Sequence, residues 1–367
     1  MEKTKPIRIL HMIASLYYGG SQSMVMNLYK NIDRNRIQFD FIVDHPEYDN
    51  YLPLVEELGG KVYTMPSFNG ANICEVKKAW NNFFDEHQEY KILHSHSRSY
   101  ASIYIPIAKK HGLKTIIHSH NTSNGSGIKS MMKGIMQFPL RYQADYFFAC
   151  SYKAGEWLFG KKVTKSSNFY VINNAIDAEK FKFDLKTRNE YRNRFNVENK
   201  KVLIQVGEFN EQKNHLFTIE LLSELLKSDN NYVLFLVGKG ELEKQIDEKI
   251  SKLNIRDSVV KLGFRDDVNK LLQMADYYLM PSKFEGLSVA AIEAQASGIP
   301  CLFSDCITKD VKVTNNCKFL PLNISMWKNE IINTTQQHTD TFDEIVKANF
   351  DVKKTALELS DFYERII

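Results

Sequence analysis

The sequence predicts an α/β protein of two domains, each built around a parallel sheet with helices on its faces. Strand-like apolar runs alternate with helical patterns in both halves of the chain, which is typical of parallel sheets. A highly charged stretch without a long apolar run, residues 178–200, separates the two series. The 367 residues, 43% apolar and 25% charged, are enough for two hydrophobic cores.

The first half contains seven strand-like runs with helical patterns between most of them. Strands are predicted at residues 7–14, 39–44, 61–65, 91–97, 114–120, 145–151 and 169–173. The clearest helices are predicted at residues 73–87 and 102–112. Because ligands bind at the carboxyl ends of parallel strands, residues that follow these strands are the first candidates for a functional site.

The second half repeats the alternation without repeating the residues. Strands are predicted at 201–207, 232–238 and 259–264, and helices at 214–228, 241–253 and 266–275. We place the domains at residues 1–185 and 186–348, followed by a C-terminal helix at residues 349–367.

The stretch Phe284–Pro300 is the best-defined unit of the second half. It lies between two apolar runs, residues 275–282 and 301–304, that are predicted to be buried strands. Ser288 is predicted to cap a short helix, and Gly298 with the final proline marks its end. The unit is therefore strand, loop, helix, strand.

Two carboxylates flank the amino end of this helix. Glu285 precedes it in the loop, and Glu293 lies one to two turns inside it. The backbone N–H groups of Leu287, Ser288 and Val289 form an anion site at the positive end of the helix dipole. A carboxylate beside a phosphate site is suited to accept hydrogen bonds from sugar hydroxyls. The pair indicates a nucleotide sugar, with a capped surface helix as the alternative.

Three further loops of the second half follow successive strands and fit the same ligand. Lys213 can reach a diphosphate as a point charge. Gly238 can bring the backbone close to a ligand. Phe264 and Arg265 can stack on a base or hydrogen-bond to it. Their position at successive strand ends favours one shared site.

A glycine pair follows the first strand. Gly19 and Gly20 permit a tight turn with close backbone approach before a helix. The pair is not a G-x-G-x-x-G string, so a nicotinamide-binding function is disfavoured.

Two histidine pairs follow later strands of the first half. His94 and His96, like His118 and His120, are two residues apart, so each pair projects from one face of its strand. Such pairs can chelate a metal, or pack and hydrogen-bond without one. His120, at the tip of its strand, is the strongest candidate for function.

Composition limits the other classes of protein. A formal net charge of +4 without a basic tail disfavours nucleic-acid binding, and five cysteines without a C-x-x-C pair indicate reduced thiols. The chain shows no apolar signal core and no long uncharged apolar window, so we expect a cytoplasmic protein. Residues 127–144 mix basic and apolar side chains, which leaves open peripheral contact with the inner face of a membrane or an ordinary surface helix.

The string Phe284–Pro300, with Glu285, Gly286 and Glu293 in place, resembles the E-x7-E motif of retaining glycosyltransferases of the GT-B fold, family 4 in particular. The chain is similar to that family almost end to end, through HSHN, INNAID, GEFNEQKN and VGKGELE, and most to bacterial capsular and exopolysaccharide members. The resemblance implies two Rossmann-like domains facing a cleft. The first binds the acceptor, the second binds the nucleotide sugar, and the final helix returns to the first.

The resemblance also implies a reaction. A hexosyl group moves from a nucleotide-diphosphate donor, most often a UDP-sugar, to a glycan or polyprenyl-linked acceptor, with retention of configuration and without a metal or other cofactor. The chain has no D-x-D string that would hold a cation on the phosphates. The implied contacts are the donor sugar for Glu285, the ribose for Glu293, the diphosphate for the amides of Ser288 and Val289, the leaving phosphate for Lys213, the transferred sugar for His120, and the diphosphate and acceptor for Gly19 and Gly20.

Glu208 departs from the family pattern, which usually has an arginine there beside the lysine. An anion next to a diphosphate is unfavourable unless another cation compensates for it. Lys239, Arg265 and Lys283 are the candidates for that cation. Two other functions stay open: a hydrolase or epimerase that uses the histidine pairs and a metal, and a non-catalytic sugar-nucleotide-binding partner of another transferase.

Overall fold

Two parallel sheets organise the chain, one in each of two units. The computed structural model describes residues 5–17, 20–46, 50–120, 128–334 and 337–367. The first unit comprises Met1–Ala175 and Val352–Ile367, and the second comprises Ile176–Asp351. None of the helices in the described ranges has the length and hydropathy needed to cross a membrane.

The first unit contains a seven-stranded sheet in the order β3-β2-β1-β4-β5-β6-β7, with every neighbouring pair parallel. The strands are β1 Ile7–Met12, β2 Ile37–Val43, β3 Val62–Thr64, β4 Ile92–Ser95, β5 Lys114–Ser119, β6 Tyr146–Ala149 and β7 Phe169–Val171. The helices are α1 Gly20–Asn31, α2 Leu52–Glu57, α3 Ile73–Glu86, α4 Ala101–Lys110, α5 Ile128–Gln137, α6 Leu140–Gln143 and α7 Tyr152–Phe159.

The second unit contains a six-stranded parallel sheet in the order β10-β9-β8-β11-β12-β13. The strands are β8 Lys201–Val206, β9 Tyr232–Val237, β10 Val259–Gly263, β11 Tyr277–Met280, β12 Cys301–Ser304 and β13 Cys317–Leu320. The helices are α8 Ala178–Phe181, α9 Leu185–Arg194, α10 His215–Leu226, α11 Glu243–Lys252, α12 Val268–Met274, α13 Val289–Ala296, α14 Ile324–Asn333 and α15 Phe342–Lys347. A last helix, α16 Val352–Ile366, belongs to the first unit.

Each sheet buries apolar side chains on both faces. In the first unit, Ile9 packs with α1 and α16 on one face, while Leu10 packs with α3 and α4 on the other. In the second unit, Val202 and Leu203 face the two cores in the same way. Because both faces are covered, these strands read as continuous apolar runs rather than alternating ones. The predicted strands and helices are confirmed, with small shifts at their ends.

The charged stretch 178–200, where the sequence analysis places the domain boundary, is folded into the second unit. It forms α8 and α9 inside the second unit, which begins at Ile176 rather than at residue 186. Arg188 and Arg192 of α9 form ion pairs with the buried Asp276, at 2.5 and 3.2 Å. The segment is therefore bound to its unit by charged groups, which an apolar pattern does not reveal.

Candidate functional site

The carboxyl ends of β10, β9, β8 and β11 lie side by side in the second sheet. The loops that follow these strands hold the predicted donor-binding residues Phe264, Gly238, Lys213 and Glu285. The strand order therefore brings together four segments that are distant in the sequence, and a ligand at this edge can meet all of them.

Lys213 and Glu285 form an ion pair at this edge. Lys213 Nζ donates a hydrogen bond to Oε1 of Glu285, which also accepts one from Ser282 Oγ at 3.3 Å. The side chain of Glu285 is 9% exposed. Asn214, with φ of +56°, donates from Nδ2 to the Pro281 carbonyl at 3.1 Å and so ties the loop after β8 to the loop after β11. The sequence predicts separate roles for the lysine and the carboxylate, whereas the structure couples them.

Helix α13 begins directly after this pair. Ser288 occupies the N-cap position, but its side chain accepts no hydrogen bond from the helix, in contrast to the prediction. The first amides of an α-helix have no intrahelical partner, so those of Ser288 and Val289 keep their capacity to bind an anion. Gly298 after the helix has φ of +71°, as predicted for a left-handed helix end. Leu287 and Gly286 lie in the loop before the helix.

Glu293 lies one turn inside α13 and is partly buried. Burial raises the pKa of its carboxyl to about 7, and the charge of Lys180 opposes that shift only in part. Among the residues that the structure describes, none forms an ion pair with Glu293. A carboxyl held in this way can take up or release a proton near neutral pH when a polar ligand contacts it.

Gly238 and Gly240 are explained by contacts within the protein. Gly238 has φ of +139°, and a Cβ atom there would collide with the carbonyl oxygen of Gly207. A Cβ atom on Gly240 would lie 2.5 Å from the carbonyl oxygen of Phe209. These glycines let the loops after β8 and β9 meet, so a ligand is not required to explain them.

We therefore expect Gly238→Ala to destabilise the second unit by about 2 kcal/mol or more, through collision and backbone strain. Thermal unfolding should show a lower midpoint. Gly286→Ala is the matched control, because a Cβ atom at Gly286 meets no heavy atom within 4 Å. Equal midpoints for the two variants would contradict a structural role for Gly238.

Phe264 and the three candidate cations differ in how accessible their side chains are to a ligand. Phe264 is 78% exposed, as a base-stacking side chain would be. Arg265 donates two hydrogen bonds to Asp267, at 2.8 and 2.5 Å, and Lys283 pairs with Glu211 at 2.6 Å. Of the three cations considered as replacements for the missing arginine, only Lys239 makes no ion pair within the described ranges.

Glu208 makes its side-chain hydrogen bond with a neighbour in its own loop. It is exposed, and its Oε2 accepts a hydrogen bond from Asn210 Nδ2 at 3.2 Å. The anion is thus solvated at the loop surface rather than buried at the edge of the sheet, which lowers its expected cost to anion binding.

Five histidines gather on one face of the first sheet, in β1, β4 and β5 or just after them: His11, His94, His96, His118 and His120. Sequence analysis does not single out His11, because a lone histidine in an apolar strand has no local signal; it pairs in register with His94 only because β1 and β4 are neighbours. Two triads, His11 with His94 and His96, and His96 with His118 and His120, bring nitrogens within 4.8 Å of one another. Either triad can hold a transition metal.

Burial, together with the nearby charge of Arg98, lowers the pKa of His120 to about 3. His120 is therefore neutral at physiological pH and can act as one donor and one acceptor. Gly20 is the first residue of α1. Gly19 lies outside the described residues.

The chain folds into two α/β units, each built around a parallel sheet. The second unit holds a lysine–carboxylate pair and an uncapped helix amino end at the edge of its sheet. This combination is typical of one class of enzyme, the glycosyltransferases of the GT-B fold. HepE from Anabaena, solved in complex with UDP, has the same fold. The TM-score is 0.79 at 16% identity, covering 98% of this chain and 100% of that chain.

Sequence comparison identifies the family. Residues 18–180 match the model of "Glycosyltransferase Family 4", and residues 187–316 match "Glycosyl transferases group 1". The glycosyltransferase EpsF of Bacillus subtilis strain 168 is 30% identical over 83% of this chain and 80% of its own length. The Escherichia coli UDP-Gal:alpha-D-GlcNAc-diphosphoundecaprenol alpha-1,3-galactosyltransferase is 26% identical over 59% of this chain and 58% of its own. The chain belongs to glycosyltransferase family 4, so the hydrolase and epimerase alternatives lose their support.

Proposed function

We propose that this glycosyltransferase moves a hexosyl group from a UDP-sugar to a lipid-linked glycan, with retention of configuration and without a metal ion. The coupled Lys213–Glu285 pair beside the uncapped amino end of α13 is the observation that carries the proposal. A cation and free amides suit a diphosphate, and carboxylates suit sugar hydroxyls. The similar structure of HepE was solved in complex with UDP, and the name of the Escherichia coli relative gives a diphosphoundecaprenol-linked acceptor.

In the proposed donor complex, Lys213 neutralises the departing diphosphate together with the amides of Ser288 and Val289. Glu285 accepts hydrogen bonds from the sugar, and Glu293 accepts them from the ribose. His120 contacts the transferred sugar, and Phe264 stacks on the base. Lys239 supplies the second positive charge that an arginine at position 208 would otherwise provide.

The proposed step exchanges one bond for another at the anomeric carbon. The bond from that carbon to the diphosphate oxygen breaks, and a bond to the acceptor hydroxyl oxygen forms on the same face. The hydroxyl proton passes to the departing phosphate oxygen, so the products are the glycoside and UDP. The protein contributes positioning and stabilisation of the leaving group.

Calorimetric titration with UDP, GDP and ADP, each with and without EDTA, tests donor binding. The expected result is saturable binding of UDP that EDTA does not change. Tighter binding of GDP would refute the uridine donor, and loss of UDP binding in EDTA would refute metal independence. No binding of any nucleotide would refute the donor site itself.

Slow transfer of the sugar to water allows retention of the anomeric configuration to be tested without a known acceptor. UDP release is measured with UDP-glucose, UDP-galactose and UDP-N-acetylglucosamine, and the substrate with the highest rate is used in all later assays. Proton NMR of the freshly released sugar is expected to show the donor's anomeric configuration. Initial release of the opposite anomer would contradict a retaining mechanism.

The raised pKa of Glu293 predicts that donor binding depends on pH. The folded protein holds its pKa at about 7, above the ordinary value of 4.5, so the carboxyl is mostly neutral at lower pH and ionises as the pH rises through 7. An ionised carboxylate is the stronger acceptor for ribose hydroxyls. Affinity for UDP-glucose should therefore rise up to about tenfold between roughly pH 6 and pH 8.

UDP-glucose is the right probe here, because its diphosphate diester does not titrate near neutral pH. Calorimetry of Glu293→Gln should show weaker binding that no longer depends on pH. A rise of the same size in that variant would assign the dependence to another group.

Helix α5 supports peripheral membrane contact. Met131, Met132, Ile135 and Phe138 are each more than half exposed, with Lys133 exposed among them. Exposed apolar side chains with a cation fit an anionic lipid surface. Sedimentation with phosphatidylglycerol vesicles is expected to recover the protein, and Ile135→Asp should weaken that binding about tenfold. Leu357→Asp on α16 is the control, because Leu357 is also more than half exposed to solvent. Equal binding by the two variants would contradict a role for α5.

A further inference from the structure

Three histidines form a continuous hydrogen-bonded chain in the first unit. His11 Nδ1 lies 3.0 Å from His96 Nε2, and His96 Nδ1 lies 2.9 Å from His120 Nε2. His11 and His96 are 1% and 8% exposed. The chain therefore runs from the interior of the sheet to the end of β5, and each link joins one ring nitrogen to another.

A neutral imidazole has one N–H group and one lone pair. Burial lowers the pKa of all three histidines, which keeps them neutral. His96 is bonded through both nitrogens, so when it donates on one side it must accept on the other. Only two arrangements satisfy both links: all three protons on Nδ1, or all three on Nε2.

We propose that His11 and His96 are positioning residues that fix the tautomer of His120. The proposal rests on the contact between His120 and the transferred sugar described under the proposed function. In one arrangement the remaining nitrogen of His120, the buried Nδ1, carries a proton and donates to a sugar hydroxyl that reaches it, and in the other it carries a lone pair and accepts from one. A chain that holds one arrangement presents the sugar with a group of fixed polarity, which orients it before reaction.

The neighbouring histidines form a separate set. His94 Nε2 lies 3.3 Å from His118 Nδ1, and His94 Nδ1 lies 2.6 Å from the hydroxyl of Tyr363 on α16. The rings of His118 and His120 stack with centroids 4.1 Å apart, without a hydrogen bond between them. These contacts support the chain sterically but do not determine which nitrogen carries the proton.

A hydrogen bond explains the His96–His120 link better than a metal site does. Two nitrogens bound at about 2.0–2.1 Å to one tetrahedral zinc ion lie roughly 3.3 Å apart. The two nitrogens here are 2.9 Å apart, the ordinary separation of a hydrogen bond. The geometry therefore favours proton sharing between the two rings.

Nitrogen-15 NMR of histidine-labelled protein tests the proposal without substrate, since protonated and bare ring nitrogens resonate far apart. The expected result is one common tautomer for His11, His96 and His120. Different tautomers among the three, a doubly protonated His96, or a stoichiometric transition metal in the purified protein would overturn it. This measurement does not depend on activity, so its outcome is distinct from that of the donor-binding tests.

Two variants of similar polarity supply the kinetic test. The amide of His96→Asn takes the place of Nδ1 and keeps the bond to His120, whereas the amide of His96→Gln takes the place of Nε2 and keeps only the bond to His11. We expect His96→Gln to release both tautomers of His120 and to lower kcat for UDP release at least about tenfold, with UDP affinity unchanged. His96→Asn should recover part of that loss, because its amide keeps the ring of His120 hydrogen-bonded although it can present either its N–H or its C=O to that ring.

Thermal unfolding of both variants separates this effect from a loss of structure. His111 lies at the end of α4 and does not belong to the hydrogen-bonded histidines, so His111→Asn is the control for changing a histidine in this unit. Equal kcat values for His96→Asn and His96→Gln in folded protein would overturn the proposal.

Discussion

Lys213→Ala is expected to lower kcat/KM for UDP release by about a hundredfold to a thousandfold. The lysine is proposed to neutralise the departing diphosphate, and its loss also leaves Glu285, 9% exposed, without its cation. The unpaired carboxylate would then repel the diphosphate that Lys213 attracts. Steady-state kinetics with the selected UDP-sugar measure the change.

A second variant separates the two parts of this effect. Lys213→Ala combined with Glu285→Gln removes the repulsion, so its affinity for UDP should exceed that of Lys213→Ala alone. Lys249, a partly exposed lysine of α11, pairs with Glu220; Lys249→Ala is the matched control and should retain wild-type kinetics. A folded Lys213→Ala protein with kcat/KM near that of Lys249→Ala would exclude Lys213 from catalysis.

Asp276→Ala is expected to destabilise the second unit by about 3–5 kcal/mol. Asp276 pairs with Arg188 at 2.5 Å and with Arg192 at 3.2 Å, and it accepts a hydrogen bond from the backbone N–H of Val202 at 2.7 Å. Its removal leaves the buried Arg192, the partly buried Arg188 and the backbone amide of Val202 without their carboxylate acceptor. The cost exceeds that of a surface ion pair because water cannot replace the lost carboxylate.

Hydrogen–deuterium exchange measures this change region by region. Protection should fall in β8 and α12, which flank the carboxylate, while the first unit keeps its exchange rates. Asp257→Ala, at an exposed aspartate of the same unit, is the control and should leave the pattern unchanged. Equal protection in both variants would show that the network contributes little to stability.

Local patterns in the sequence determined the elements. Continuous apolar runs identified the strands, because both faces of each sheet are covered. Gly298 and Pro300 located the end of α13, because a left-handed helix end favours glycine. The E-x7-E string located Glu285 and Glu293 on either side of the helix start. These features depend on neighbours a few residues away.

The tertiary structure decided the partners. Lys213 meets Glu285 because β8 and β11 are adjacent in the sheet, and His11 meets His96 because β1 and β4 are adjacent. The same level of structure binds the charged α9 to Asp276. Strand order and burial bring these groups together across long stretches of chain. Hydrogen bonds and ion pairs require distances of about 3 Å, which residue spacing along the chain does not specify.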